Sequence, residues 1–239
     1  MQNDNSDTQA GQHNTTSSDN NRIKDDLTLL EQEIHDALVD GVNIRETVHN
    51  LTLRAINAER LDVDSIRRIT TAVTNGVHEG AQKQLLATSN QTQAAKSQIS
   101  EAVSGLDSAL ARVAEATKLA VQEAAGRAQK FSDKELVRTK SDLEGLESIF
   151  LDTLQNAASG AKGVLSDILQ DIATHAKNNG TVVGAQLKET LTIFTQQAAS
   201  VSHAQLDAGV QLAQSTADFI HKIATGVLSG IKDHTQHKK

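Results

Sequence analysis

The chain contains no cysteine, proline, tryptophan or tyrosine, and its only aromatic residues are four phenylalanines in 239 positions. Without cysteine there is no disulfide framework, no thiolate metal site and no cysteine nucleophile. So few aromatic rings also exclude a platform on which bases or sugars could stack. The missing prolines remove the strongest helix breaker, so long helices are permitted. No run approaches the roughly 18–20 apolar residues that a membrane span requires. Basic charge is in short supply as well: 23 Lys and Arg against 30 Asp and Glu leave a net charge of −7. Arg45, Arg54, Arg60, Arg67 and Arg68 cluster, but Glu46, Glu59, Asp62 and Asp64 lie among them. No stripe suited to phosphate neutralisation results, and nucleic acid is not an expected partner.

What is present is alanine, 31 residues of it, with 24 leucines, 16 valines and 14 isoleucines at helical spacing. Residues 1–22 are rich in Asn, Asp, Ser, Thr and Gln, with neither a basic start nor an apolar run. They read as a disordered tail and not as a signal peptide, which points to the cytoplasm. Ile23, Leu27, Leu30, Ile34 and Leu38 then mark a first helix, with Gly41 placed as its C′ glycine. Asn43 followed by Glu46 has capping-box spacing and opens a second helix, with Ile44, Val48, Leu51, Ala55 and Ala58 on one face. Asp62 is placed to cap a third, and Leu61 and Ile66 have the spacing of a hydrophobic staple. Residues 23–88 thus read as an acidic three-helix unit.

From 91 to 231 the pattern is of longer helices, followed by a short tail at 232–239. Ile99, Val103, Leu106, Leu110, Val113, Thr117, Ala120 and Ala124 alternate steps of four and three, a heptad register with Thr117 as its polar intruder. Phe131-Ser132-Asp133-Lys134-Glu135-Leu136 combines a capping box with a staple and marks the next start. From there one stripe runs through Leu143, Leu146, Phe150, Leu154, Ala157, Ala161, Leu165, Ile168, Ile172 and Ala176, ending at Asn178-Asn179-Gly180. Thr181 is placed to cap the last helix. Its stripe, Val183, Leu187, Leu191, Phe194, Ala198, Val201, Gln205, Ala208, Leu212, Thr216, Phe219, Ile223 and Val227, follows an 11-residue period. Unbroken, that helix would be about 75 Å long. The expected fold is all-α: a short three-helix unit followed by three long antiparallel helices in an elongated bundle or coiled coil.

Catalytic templates fail one by one. His78-Glu79-Gly80-Ala81-Gln82 starts like a zinc-protease helix, but Gln82 stands where the second histidine must be. Glu46-x-x-His49 has di-iron spacing, yet its nearest companion, Asp218-x-x-His221, carries the shorter acid. Ser159-x-x-Lys162 and Ser229-x-x-Lys232 lack the other elements of a serine–lysine nucleophile site. His234-x-x-His237 reads as a solvated end. No catalytic residue, cofactor or metal site is expected.

Contact surfaces are the more promising features. Residues 178–231 carry only five formal charges, Lys188, Glu189, Asp207, Asp218 and Lys222, with a polar face of Thr, Gln and Ser. A solvated helix usually carries a charged outer face, so this segment is expected to touch something on more than one side. Buried in a bundle, the stripe is core. Turned outward, Val183, Leu187, Leu191, Phe194, Val201, Leu212, Phe219 and Ile223 form an adsorbing surface for a lipid or hydrophobic polymer. Gly76 and Gly80, Gly180 and Gly184, and Gly226 and Gly230 share a Gly-x-x-x-Gly spacing, expected where backbones cross closely.

The Ala/Gln/Thr/Ser-rich stripes of 99–128 and 183–228, without Cys, Trp or Pro, resemble the phasins, helical proteins that coat polyhydroxyalkanoate granules in bacteria. The resemblance implies granule-surface binding and self-association, and transfers no catalytic residue. The acidic N-terminal unit departs from it. Separately, Ile44-Arg45-x-x-Val48-x-x-Leu51-Thr52-Leu53-x-Ala55, Leu61-Asp62-x-x-x-Ile66-Arg67 and Val73-x-x-Gly76-x-x-x-Gly80-Ala81 resemble an uncharacterised family of proteobacterial helical proteins. Two functions are therefore expected as alternatives. One is a phasin-like coat that adsorbs to a hydrophobic surface and self-associates. The other is a coiled-coil scaffold or adaptor docking a protein partner through 23–88.

Overall fold

In a computed structural model the described residues are 13–58, 62–87, 92–126 and 133–202. They form seven α-helices and no strand: α1 (His13–Asp40), α2 (Ile44–Ala58), α3 (Val63–Ala87), α4 (Thr92–Gly126), α5 (Asp133–Gly160), α6 (Val164–Asn179) and α7 (Val182–Ser202). The chain is all-α as expected, and none of these helices is long and apolar enough to cross a membrane.

Local signals set most of the helix ends. Gly41, with φ of 69°, donates its N–H to the Ala37 carbonyl at 3.1 Å and closes α1 in the left-handed conformation that glycine adopts without strain. Asp62 caps α3, its Oδ1 accepting the Ser65 N–H at 2.8 Å. Thr181 caps α7, its Oγ1 accepting the Gly184 N–H at 2.8 Å. Of the other predicted end signals, Asn43 takes a left-handed φ of 50° before α2, and Leu61, Phe131 and Ser132 lie outside the described residues.

One predicted helix is in fact two. The stripe from Leu143 to Ala176 keeps its period across Ala161, yet the chain reverses there through Gly163, whose φ is 60°. The Ser166 hydroxyl donates to the Ala158 carbonyl at 2.8 Å, and the Gln155 amide meets Gln170 at 2.9 Å. Rising numbers on one helix thus face falling numbers on the other, so α6 folds back antiparallel on α5. Apolar period persists through the turn because both halves bury the same stripe, Leu154 on one side and Leu165 and Leu169 on the other.

Register fixes the remaining directions. Lys96 pairs with Asp171, Asp107 with the amides of Val182 and Val183, and the Thr190 hydroxyl with the Ala114 carbonyl. Both partners advance together, so α6 and α7 run in line along α4, parallel to it, with a break at Gly180. Along α1 and α3 the same holds: Gly76 packs on Glu31 and Ile34, Gly80 on His35 and Leu38, and Gln84 on the Leu38 carbonyl. α1, α3 and α5 form one layer, while α2, α4 and the α6–α7 line form the other. The described helices form a side-by-side stack of three helical hairpins, an arrangement in which each hairpin buries its faces on its neighbours.

A single contiguous core runs through the stack from Leu30 to Phe194. The predicted heptad face of α4 is internal from Ile99 to Ala120: Ile99, Val103, Leu106, Leu110, Val113, Thr117 and Ala120 are all buried. Ala102, Ala109, Ala111 and Ala114 widen that face, because α4 packs on α2, α3 and α7 together. Thr117, the polar intruder, returns its hydroxyl to the Val113 carbonyl at 2.9 Å, and Thr52, Thr74 and Thr153 do the same four residues back. The helices of 23–88 share this core with α4 and α5.

Candidate functional site

Of the predicted close-contact glycines, Gly76 and Gly80 seat α3 on α1. A Cβ on Gly76 would lie 2.8 Å from the Ile34 Cβ and closer still to the Glu31 carbonyl, and one on Gly80 would lie 2.8 Å from the Leu38 Cβ. Gly184 is also a tight site, facing the Glu147 carboxylate, the flexible end of a side chain. Gly180 is not a crossing point: nothing lies within 4 Å of its Cβ position, and its role is a left-handed φ of 82° at the break. Gly226 and Gly230 lie outside the described residues. Gly105 was not singled out by any motif, yet it seats α4 on α2, with the Arg45 carbonyl at 2.5 Å and the Val48 Cβ at 3.1 Å from a hypothetical Cβ.

The apolar stripe of the last helix faces inward over its described part. Val183, Leu187 and Phe194 are buried in the common core, and Leu191 packs partly against it. Of the two arrangements the sequence leaves open for this stripe, these four residues take the inward one in the structure. Their side of α7 is occupied by α4 and α5. The Val201 side chain and Leu212, Phe219 and Ile223 lie outside what is described.

The rejected catalytic motifs are dispersed. Ser159 donates to the Gln155 carbonyl at 2.8 Å and is exposed, as is Lys162. His49 is half-buried beside an open groove formed with Asn43, Arg45, Glu46, Glu101 and Ser108. Burial, aided by the nearby Arg112 and Arg45, holds its pKa below the ordinary histidine value. His78 lines a separate cleft between α3 and α5 with Arg67, Asp152 and Asn156. Among the described residues no group of three or more His, Asp or Glu is arranged to hold a metal.

Chemistry converges instead where α6 gives way to α7. Asp107 reaches from α4 across the break, one carboxylate oxygen accepting the Val182 N–H at 2.8 Å and the other the Val183 N–H at 2.8 Å. The carboxylate supplements the local Thr181 cap and meets the positive end of the α7 dipole. Thr181 in turn donates its hydroxyl to Glu147 of α5 at 2.8 Å. Three helices are tied at one point by two acidic residues. Asp107 is only 9% exposed. Burial pushes its pKa up, the two N–H donors pull it down, and the neighbouring Glu147 adds to the rise, leaving it above the ordinary carboxylate value.

A raised value in the folded state means that folding takes up a proton here. The stabilisation associated with Asp107 is therefore fully present below its ordinary value near 3.8 and declines as pH rises through the raised one. Asp107→Ala is expected to cost about 1–2 kcal/mol by orphaning two backbone donors. Urea unfolding of both proteins should show the gap between them narrowing as pH rises through that window; a gap that widens would contradict the assignment.

No local signature announces Asp107, because a cap supplied from 75 residues away leaves no spacing to recognise. The one available signal is a lone acid directly after Leu106, on a helix whose alanines line several faces. Comparison with curated proteins and with solved structures gives no match. One family matches nearly the whole chain, over residues 20–237, and by it this protein belongs to a family of unknown function, DUF6781.

Proposed function

We propose that the protein is a non-catalytic helical scaffold or adaptor, whose stacked hairpins hold a rigid outer surface for a protein partner. The observation that carries this reading is the burial of Val183, Leu187 and Phe194. A helix that adsorbs to an apolar phase must turn its stripe towards that phase. Here the described stripe is engaged by α4 and α5, and freeing it means dismantling the core. The surface left for a partner is polar. On α1, Asp25, Asp26, Asp36 and Asp40 are exposed, which suits a basic protein surface docking at the N-terminal helices.

The test is sedimentation. Full-length protein mixed with lipid vesicles, or with polyhydroxyalkanoate particles, at high salt is expected to stay in the supernatant. Protein that pellets with either particle, and does so without losing helicity, would favour the phasin-like coat and overturn the scaffold reading.

A further inference from the structure

α1 stands at the edge of its layer, against α2, α3 and α4. The side chains it turns to them, Leu30, Ile34, Ala37 and Leu38, are buried. Its opposite side carries Asp25, Leu29, Gln32, Asp36 and Val39, all exposed. Their steps run four, three, four, three, the spacing of a seam on which a second helix packs lengthwise at a shallow angle. Leu29, 57% exposed, is an apolar side chain in the middle of that outer face.

Charge along the seam has one sign. Asp25, Asp26, Glu31, Glu33, Asp36 and Asp40 lie in a stretch, 25–40, that contains no lysine or arginine. Arg54 of α2 pairs with Glu33, and Lys83 of α3 acts on Asp36, which still leaves the seam acidic. Asp36 is set in place by its own helix: the His35 ring and the Gln32 amide meet its Oδ1 at 2.8 and 2.9 Å, and the His35 bond foremost holds its pKa below the ordinary carboxylate value. Oδ2 takes neither bond and is left for a donor from outside.

These features decide the occupant. A second copy of the seam fits badly. Parallel pairing would set Asp25 on Asp25 and Asp36 on Asp36, and antiparallel pairing about Gln32 would press Asp36 on Leu29 and Asp25 on Val39. A helix that alternates basic and apolar residues on the same spacing satisfies both kinds of position at once. We propose that the outer seam of α1 docks a basic amphipathic helix of a partner protein, with lysine or arginine against Asp25 and Asp36 and apolar side chains against Leu29 and Val39. The assignment rests on the scaffold reading and adds the partner's chemistry to it.

The probe is a fluorescent helical peptide of roughly three heptads, with lysine and leucine on its seam and alanine and glutamine elsewhere. Titrated with the full chain and followed by anisotropy, it is expected to bind with a Kd on the order of 100 µM at low salt, and more weakly as salt is raised. A peptide of the same composition, its lysines and leucines scattered around the helix, is expected to bind at least about tenfold more weakly. Leu29→Gln, and separately the pair Asp25→Asn and Asp36→Asn, are each expected to weaken binding of the seam peptide about tenfold. The pair Asp152→Asn and Asp167→Asn removes equal charge from α5 and α6 and is expected to leave binding unchanged. All five side chains are exposed, so the variants keep the fold. No binding of the seam peptide, equal binding of the scattered one, an unaffected Leu29→Gln variant, or equal weakening by the α5–α6 pair would each overturn the proposal. Sedimentation decides the underlying reading separately: protein that stays in the supernatant yet ignores the seam peptide loses the seam and keeps the scaffold, whereas protein that pellets loses the scaffold itself.

Discussion

Phe194→Asp is expected to unfold much of the protein. Phe194 is 3% exposed and sits in the shared core on the side of α7 that faces α4 and α5. Truncating a buried phenylalanine alone costs about 3–5 kcal/mol. Aspartate adds a charge with no partner in that core, and such a group is tolerated only by neutralising or by opening the structure. The sum is comparable to the whole stability of a typical domain, about 5–15 kcal/mol. Far-ultraviolet circular dichroism at 25 °C should show a large loss of helicity and a lost or strongly lowered thermal midpoint. Phe194→Leu, which keeps the apolar volume nearly intact, is expected to cost less than about 1.5 kcal/mol. Leu86→Glu, on a side chain that is 82% exposed, is expected to change stability by no more than about 0.5 kcal/mol.

The triplet separates the two functional readings at the level of residues. A coat protein displays its stripe, so Phe194→Asp would abolish adsorption and spare helicity. A scaffold spends the stripe on its own packing, so the same change spares nothing. Preserved helicity in Phe194→Asp would mean that the inward face of α7 is dispensable for the fold, and would restore the adsorbing surface as the better account.

Periodicity revealed those features whose cause is local. The buried face of α4 follows the heptad read from Ile99 to Ala120, because a helix packed on its neighbours must keep one face apolar wherever those neighbours lie. Gly41, Asp62 and Thr181 announced helix ends through hydrogen bonds made within four residues, which is the range a sequence motif can encode. Long-range features left no such mark. The parallel alignment of α4 with α6 and α7, the reversal at Gly163 and the reach of Asp107 across the break all depend on which helix lies beside which. An apolar period reads the same on either side of a turn, so Ala161 and Leu165 looked like one helix continuing. Over its described part the stripe of the last helix is inward, but periodicity reports burial and is silent about the partner.

Replacing glycine by alanine should change stability in opposite directions at different glycines of this one fold. In a helix interior with open space, alanine is favoured by about 0.5–1 kcal/mol because it restricts the unfolded chain and suits the helix. Gly145 of α5 has nothing within 4 Å of its Cβ position, so Gly145→Ala is expected to raise stability by that amount. Gly76 and Gly105 are also helical, and the same intrinsic gain applies to them. At Gly76, however, the new methyl runs into the Glu31 carbonyl and the Ile34 Cβ of α1, and at Gly105 into the Arg45 carbonyl and the Val48 Cβ of α2. Backbone and branch-point atoms cannot swing aside as a side-chain tip can, so the helices must separate. Overpacking of this kind costs about 1–3 kcal/mol, which outweighs the gain in propensity. Gly76→Ala and Gly105→Ala are therefore expected to lower the urea midpoint with little change in its slope, and Gly76→Val to lower it further. Because the two sites lie in different layers, α1 on α3 and α2 on α4, the double variant Gly76→Ala, Gly105→Ala should show losses that add to within about 0.5 kcal/mol. Gly163→Ala and Gly180→Ala form a third class, with open space but φ of 60° and 82°, and are expected to destabilise through backbone strain alone. If Gly76→Ala proved as stabilising as Gly145→Ala, α1 and α3 could not lie as close as their register places them, and the parallel stacking of the hairpins would lose its main support.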